Sequence, residues 1–462
     1  MASIYPFRAF RYNPEKAGTA LGNLVTQPYD KITPAMQERY HQRSPYNLVR
    51  LIRGRAEPGD DGGQNVYTRA ARWLEEWIRQ GVLVQEAQPA LYPYFQEYTV
   101  PGTKERRVRK GFIALGRIED YAAGIVHRHE QTLAGPKADR LELLRHTRTH
   151  LGQIFMIYSD PAGAVDKLLD AVARSGSPQE VRDEYGAAHR LWCLREAESI
   201  ARIQELLAGK KLIIADGHHR YETALAYREE CRARLRRGSG GQAGEEARGS
   251  GGLDLEAPHE KVMMTFVNME GPGVTILPTH RVVANLPGFD FGAFREKASA
   301  YFDWYAYPLD PGEKRAATAR LLRDLAERGA TRPSFGVYAA GEPALYLFLL
   351  KLNVDRARVL PGVSSWQRSL DLVVLHKLLL EGCLGLDEES VRQERNLHYL
   401  REWREALESV EKSEAQLAFL VNPVRVEQMR EVAFHGEVLP QKSTDFYPKL
   451  LSGLTLYRLD AA

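Results

Sequence analysis

Cysteine is almost absent from this chain, and so are several other features whose absence narrows its function. Among 462 residues only Cys193, Cys231 and Cys383 are cysteines. Three widely spaced thiols argue against a disulfide framework and a cysteine-rich zinc site, and they fit a reducing compartment. No run of about 18 apolar residues occurs, so no transmembrane helix is expected. The opening stretch MASIYPFRAFRYNPEK lacks the apolar centre of a secretory signal. The expectation is therefore a cytoplasmic protein without a membrane partner. Charge of one sign is lacking too: 63 Lys and Arg face 60 Asp and Glu, which leaves no general basic footprint for nucleic acid. There is no G-x-x-x-x-G-K-[ST] phosphate loop, no G-x-G-x-x-G after a strand and no G-x-S-x-G nucleophile elbow.

A chain of this length needs more than one core, and its patterning reads as mixed α/β. Three regions are expected: 1–115, 116–285 carrying a Gly/Ser-rich flexible insertion at 232–260, and 286–462. In the first, Leu24–Val25 and Tyr46–Ile52 read as strands. Thr33 and Pro34 are the N-cap and first position of a short helix to Tyr40. Val66–Gln80 is an amphipathic helix, and Ala90–Val100 and Arg106–Leu115 are paired strands. The basic run Lys104–Lys110 alternates around Val108 as a strand with one wet face does. In the second region Glu196–Ala208 is helical to Gly209, and Lys261–Asn268 and Val274–Leu277 are strands. The last third alternates helices (Phe294–Tyr301, Glu313–Glu327, Asp371–Leu380, Glu402–Lys412) with strands (Ser334–Tyr338, Ala344–Leu350, Ala415–Val421).

The densest chemical signal is Leu212–Tyr227, LIIADGHHRYETALAY. An apolar strand enters a turn, Asp216-Gly217-His218-His219-Arg220, and a helix is expected from Tyr221. A strand passing through a glycine turn into a helix aims backbone N–H groups and the helix dipole at one point. Two histidines and an arginine there add charge-assisted hydrogen bonds. This predicts an anion site, best suited to the phosphates of a nucleotide. A second cluster, GIVHRHEQT at 124–132, puts His127, His129 and Glu130 at a strand end, followed by Lys137, Asp139 and Arg140 and a helix reaching Leu151. Glu130 is the best candidate general base in the chain; it reads equally well as a cap or as an ion-pair partner of Arg140. Zinc on His127 and His129, or on His146 and His150 at i, i+4, lacks the glutamate of a zincin motif. Mg²⁺ arriving with a nucleotide, held by Asp216 or Glu130 and phosphate oxygens, fits better; Asp216 capping its own turn is the alternative. Three further segments stand out: Gln27-Pro28-Tyr29-Asp30, Leu277-Pro278-Thr279-His280-Arg281, and Pro440-Gln441-Lys442-Ser443-Thr444, the last able to contact an anion. Each reads also as an ordinary turn.

Taken together, FRAFRYNPEKAG, PYDKI, SPYNLVRL, HEQT…PKADRLELL, ADGHHRYETAL, LPTHRVV and PQKSTDFYPKLLSGL resemble a family known as DUF1015, from Phe7 to Leu454. That family is similar, at a distance, to the ParB/sulfiredoxin-like superfamily, which includes free-serine kinases. The resemblance implies an α/β core of that type, with additional N- and C-terminal mixed α/β regions. It implies a kinase using ATP or ADP with Mg²⁺ to phosphorylate the hydroxyl of L-serine or a similar small metabolite. Gly217, His218, His219 and Arg220 would hold the nucleotide, Glu130 would be the base, and Asp216 and His219 would join the catalytic group. Asp216 and Glu130 would reach the metal. His129, Thr132, Lys137, Tyr29, Asp30, His280, Arg281, Lys442, Ser443 and Thr444 would face the substrate. The sulfiredoxin cysteine has no counterpart, since His218 follows Gly217. A nucleotide-binding switch of ParB type, acting on a partner without phosphorylating a metabolite, is the competing expectation. Donor, acceptor and oligomeric state, a homodimer included, stay open.

Overall fold

The computed structural model describes residues 1–130, 134–239, 254–310 and 312–460, and the fold is mixed α/β throughout. The chain separates into two compact units. Unit 1 is Met1–Arg128, Thr132–Thr275 and Pro448–Ala462; unit 2 is His129–Gln131 and Ile276–Tyr447.

Unit 1 is built on a nine-stranded sheet. Its strands in chain order are β1 (Ile4–Tyr5), β2 (Tyr92–Thr99), β3 (Arg106–Arg117), β4 (Val126–His127), β5 (Ile154–Tyr158), β6 (Gln179–Arg182), β7 (Ala188–Leu191), β8 (Leu212–Asp216) and β9 (Lys261–Asn268). They lie in the order β4-β8-β5-β9-β3-β2-β7-β6, with β1 on β3. The expected hairpin of 90–115 is present, pairing Tyr92 with Ile113 and Thr99 with Arg106. Its second strand runs unbroken to Arg117, so the boundary expected after residue 115 falls inside β3. The helices are α1 (Pro34–Arg43), α2 (Val49–Ile52), α3 (Val66–Arg79), α4 (Ala134–Thr147), α5 (Ala164–Ser175), α6 (Ala197–Ala208) and α7 (His218–Ser239). Thr33 caps α1 through the Met36 amide, with Pro34 at its start, as its sequence dictates. Phe112, Ile154, Met156, Ile214 and Phe266 from the sheet pack with Val165, Leu169, Ile203, Leu207 and Tyr221 from the helices.

Four local expectations are corrected. Leu24–Val25 and Tyr46–Ile52 form no strand: residues 21–23 are a 3₁₀ turn, and Val49–Ile52 is the short helix α2. Short buried apolar runs carry no period that separates the two states. The wet face of Lys104–Lys110 is inverted, with Val108 39% exposed and Arg109 1% exposed. α4 stops at Thr147 and Arg148 takes a φ of +46°, so His150 sits on a strand and the i, i+4 helical pair with His146 does not form. Finally, residues 232–239 continue α7 rather than opening a flexible insertion, and the far side of that insertion is anchored by Glu260, both of whose oxygens accept from Arg232 at 2.7 and 2.6 Å. Residues 240–253 lie outside the described residues.

Unit 2 holds a six-stranded sheet: β10 (His280–Val283), β11 (Phe302–Pro308), β12 (Ser334–Ala339), β13 (Ala344–Leu350), β14 (Leu397–Leu400) and β15 (Leu417–Val421), ordered β11-β13-β12-β15-β10-β14. Around it lie α8 (Phe291–Ala298), α9 (Lys314–Gly329), α10 (Trp403–Glu411) and α11 (Val426–Phe434). The turn Asp371–Val374 continues as a π-helical stretch, Leu375–Cys383. One sheet face packs Val282, Leu345, Leu347, Leu349, Ala418 and Leu420 against Leu321 and Leu325 of α9 and Leu407 and Val410 of α10. Among the described residues no helix is long and apolar enough to cross a membrane, and all three cysteines are free thiols.

Candidate functional site

In unit 1, β8 delivers Asp216 to its end, and Gly217 turns the chain with a φ of +93°. That left-handed conformation favours glycine, and it lets α7 begin at once with His218, three residues earlier than expected. The two histidines and Arg220 are thus the helix's first turn, where backbone N–H groups lack intrahelical acceptors. His218 is buried and His219 half-buried. Arg220 Nη2 donates to Asp216 Oδ2 at 2.8 Å, and Nη1 donates to the Gln153 carbonyl. Asp216 Oδ1 accepts from Lys449 Nζ at 3.1 Å. Burial alone would raise the Asp216 carboxyl, but the charges of Lys449, Arg220 and Lys31 outweigh it and hold the group well below the usual carboxylate range. Lys449, which the sequence marks only as part of the polar loop after Pro440 with no role of its own, lies seven residues beyond Lys442, in a tail that belongs to this unit.

Beside the start of α7 lies a cavity of about 60 Å³, lined on its polar side by Tyr29, Arg140, Arg220, Thr223 and Ser452. Ile52, Leu143, Leu144, Ile154 and Val262 supply its apolar wall. The Arg140 guanidinium lies 4.2 Å from the centre of the Tyr29 ring, and burial pushes the Tyr29 phenol up to about 12, so it stays neutral. Arg140 also donates to the Ile52 carbonyl at 2.7 Å and to Asp139 Oδ2 at 2.5 Å. A neighbouring cavity of about 240 Å³ shares Ile52, Arg140 and Leu143 and adds Gln37, Arg53, Tyr67 and Asp139. Three segments far apart in sequence, PYD, KADR and GHHR, therefore meet around one pocket. Asp30 is exposed, outside that lining. Lys137 sits 3.8 Å from Glu222, and Thr132 lies outside the described residues.

The other candidates gather in unit 2. The His129 carbonyl accepts from the Leu439 amide at 2.8 Å, His129 Nε2 contacts Thr444 Oγ1 at 2.8 Å, and Glu130 Oε1 accepts from the Lys442 amide at 3.3 Å. Lys442 itself has a φ of +56°. Ser443 Oγ donates to the Pro440 carbonyl. Arg281 Nη2 reaches the Lys442 carbonyl at 3.4 Å, and His280 Nδ1 accepts from the Val421 amide at 3.2 Å. The HE, LPTHR and QKST segments are thus neighbours; in unit 1, Arg140 pairs with Asp139. Among the described residues no group of three or more His, Cys, Asp or Glu comes together as a metal cluster. His127 contacts the Gly124 carbonyl at 3.1 Å, and His150 stacks on Tyr457.

The model of a family described as "Protein of unknown function (DUF1015)" matches residues 4–373. No curated protein sequence matches the chain. Solved structures with partial likeness include a free serine kinase in complex with AMP, at 12% identity and a TM-score of 0.32, covering 70% of this chain and 83% of that one. A conserved hypothetical protein from Pyrococcus furiosus matches at 12% identity and a TM-score of 0.31, covering 71% of this chain and 89% of that one. SbnI with a C-terminal truncation, from Staphylococcus aureus, matches at 11% identity and a TM-score of 0.32, covering 74% and 85%.

Proposed function

This chain belongs to the DUF1015 family, and we propose that it is a nucleotide-dependent phosphotransferase acting on the hydroxyl of a small metabolite of the L-serine type. The observation that carries the reading is the convergence of Tyr29, Arg140 and Arg220 on one cavity at the start of α7. A helix N-terminus flanked by guanidinium groups is suited to phosphate oxygens. The apolar wall beside it and the larger polar cavity suit a base and sugar. In this reading the phosphates of ATP or ADP meet the first turn of α7, with His218, His219 and Arg220 as neighbours.

Phosphoryl transfer asks a protein mainly for positioning and charge neutralisation. The acceptor oxygen forms a bond to the terminal phosphorus, the bond from that phosphorus to the bridging oxygen breaks, and the hydroxyl proton passes to Glu130. Glu130 is given that role because its carboxylate stands at the end of the HE segment, where Oε1 accepts from the Lys442 amide at 3.3 Å. A magnesium ion bound directly by Asp216 does not fit the arrangement. Both oxygens of that carboxylate are committed to Lys449 and Arg220, so its part is to hold those two cations at the start of the helix. No step is assigned to a protein-held metal.

The test is incubation of the purified chain with ATP or ADP, Mg²⁺ and a pool of hydroxylated metabolites including L-serine, read by mass spectrometry. A product heavier by about 80 Da, one phosphoryl group, is expected. Arg220→Ala should lose nucleotide affinity. Glu130→Gln should lose turnover by a factor of about 10² or more while binding nucleotide as the parent does. Nucleotide binding with no phosphorylated product from any acceptor would favour the switch, and absence of nucleotide binding would end the reading.

A further inference from the structure

Arg281 is fully buried in unit 2 and has no carboxylate partner among the described residues. It lies on β10 directly opposite Tyr399 of β14 and beside Phe419 of β15. Opposed residues of antiparallel strands share a sheet face, and this is the face opposite the Val282 core. Its guanidinium contacts are the Thr279 carbonyl, the Lys442 carbonyl at 3.4 Å and the Tyr399 ring, whose centre lies 5.3 Å away. Its Nε–H has no acceptor among the described residues. Among the described residues two more buried polar atoms on other elements are also without a partner: the Tyr399 hydroxyl and His376 Nε2, the latter on the π-helical stretch within reach of the Arg281 charge. A buried cation without a counter-ion is strongly disfavoured. Buried polar groups usually find a partner; other buried side-chain atoms of this chain also lack one among the described residues, but here three orphans from three elements accompany one uncompensated guanidinium, and together they call for a ligand. All three can donate a hydrogen bond, which selects an acceptor with several oxygens and negative charge.

We infer that unit 2 carries its own small-oxyanion site, in which Arg281, Tyr399 and His376 receive a carboxylate or phosphate group. The planar fork of Arg281 matches either oxyanion. The loop whose Lys442 carbonyl takes one Arg281 N–H is the loop whose Lys442 amide holds Glu130, so the anion would lie within the same side-chain neighbourhood as that carboxylate. Under the phosphotransferase reading the natural occupant is the acidic group of the acceptor. The site itself does not depend on that reading, since its test contains no nucleotide.

Full-length protein is titrated separately with inorganic phosphate and with acetate, followed by calorimetry and thermal melting. Saturable binding with a rise in melting temperature is expected from at least one probe. Binding of phosphate alone would assign a phosphate site, and of acetate alone a carboxylate site. Arg281→Met should weaken that binding at least about tenfold and leave the ligand-free melting temperature unchanged or raised, because an unpaired buried charge has been removed. Tyr399→Phe should weaken it several-fold. Arg220→Ala, in unit 1, should leave it intact. Failure of both probes to bind would overturn the inference, as would undiminished binding in Tyr399→Phe, loss of binding in Arg220→Ala with retention in Arg281→Met, or a marked fall in melting temperature in ligand-free Arg281→Met.

Discussion

Replacing Lys449 by methionine would test the electrostatic framework beneath the start of α7. The side chains of Lys449 and Asp216 are 8% and 20% exposed, and Arg220, the other partner of Asp216, is 14% exposed. Methionine keeps much of the length of lysine and removes only the charge. Breaking a buried pair by deleting one partner typically costs about 3–5 kcal/mol. Arg220 stays in place to serve the carboxylate, so a loss of about 2–3 kcal/mol is expected here. In a unit of about 290 residues that corresponds to a fall of roughly 3–5 °C in melting temperature. The sign of the pH dependence follows from Asp216. Its folded carboxyl is depressed, so the stability it contributes is fully present above the unfolded carboxylate value, about 3.9, and drains away as pH falls towards the folded value. The gap between parent and Lys449→Met should therefore be widest at pH 7 and narrow below about pH 4. Urea unfolding of both proteins across that range measures it. A difference below about 0.5 kcal/mol at pH 7, or one that does not narrow in acid, would refute the account.

Three further outcomes follow from the geometry. Gly217→Ala forces a side chain into a φ of +93° and places its Cβ 3.0 Å from Arg220 Cζ; a loss of about 1–3 kcal/mol in unfolding free energy and weaker nucleotide binding are expected, and a neutral result would show that the turn tolerates another conformation. Glu260→Gln should cost about 2–3 kcal/mol, because a 2% exposed carboxylate loses its charge-assisted pairing with Arg232; an unchanged denaturation midpoint would contradict the extension of α7 past residue 232. His150, buried against Tyr457, has its imidazole lowered to about 4 by burial, so its neutral form stabilises the fold above about pH 6.5 and that contribution is lost between there and pH 4, by up to about 3 kcal/mol. His150→Phe should flatten the fall in stability across that window, and equal slopes for the two proteins would count against the burial argument.

Local pattern carried the elements whose stabilisation is local. The cap at Thr33, the helix 66–79 and the hairpin of 90–115 follow from neighbours a few residues apart, and they form where the pattern places them. The failures have a common physical origin in distant partners. Alternation in Lys104–Lys110 cannot say which face is wet, since a slip of one residue exchanges the faces. Arg109 is inside because Gln96 Oε1 accepts from its Nε at 2.9 Å, the Pro448 carbonyl takes another N–H, and its guanidinium lies 4.6 Å from the centre of the Phe155 ring. Pro448 is 339 residues away. The role of Lys449, visible in the sequence only as one residue of a polar loop, is hidden for the same reason: its partner Asp216 is 233 residues distant. The sequence puts His218 and His219 before the helix because glycine reads as a turn of several residues, whereas one positive φ at Gly217 suffices.

The motifs also sort in a way that no linear reading shows. PYD, KADR and GHHR gather in unit 1 around cations and a helix start, while HE, LPTHR and QKST gather in unit 2 around Glu130 and Arg281. If phosphate binding belongs to the first set and acceptor chemistry to the second, the two sets should separate in experiment. Arg220→Ala should lose nucleotide binding and keep acetate or phosphate binding at Arg281. Glu130→Gln and Arg281→Met should keep nucleotide binding and lose turnover. Were substitutions in unit 2 to abolish nucleotide affinity as fully as those in unit 1, the division of labour would be wrong and the second cluster would belong to the nucleotide as well. Nucleotide titrations of the three variants, run beside the turnover assay, decide between these outcomes.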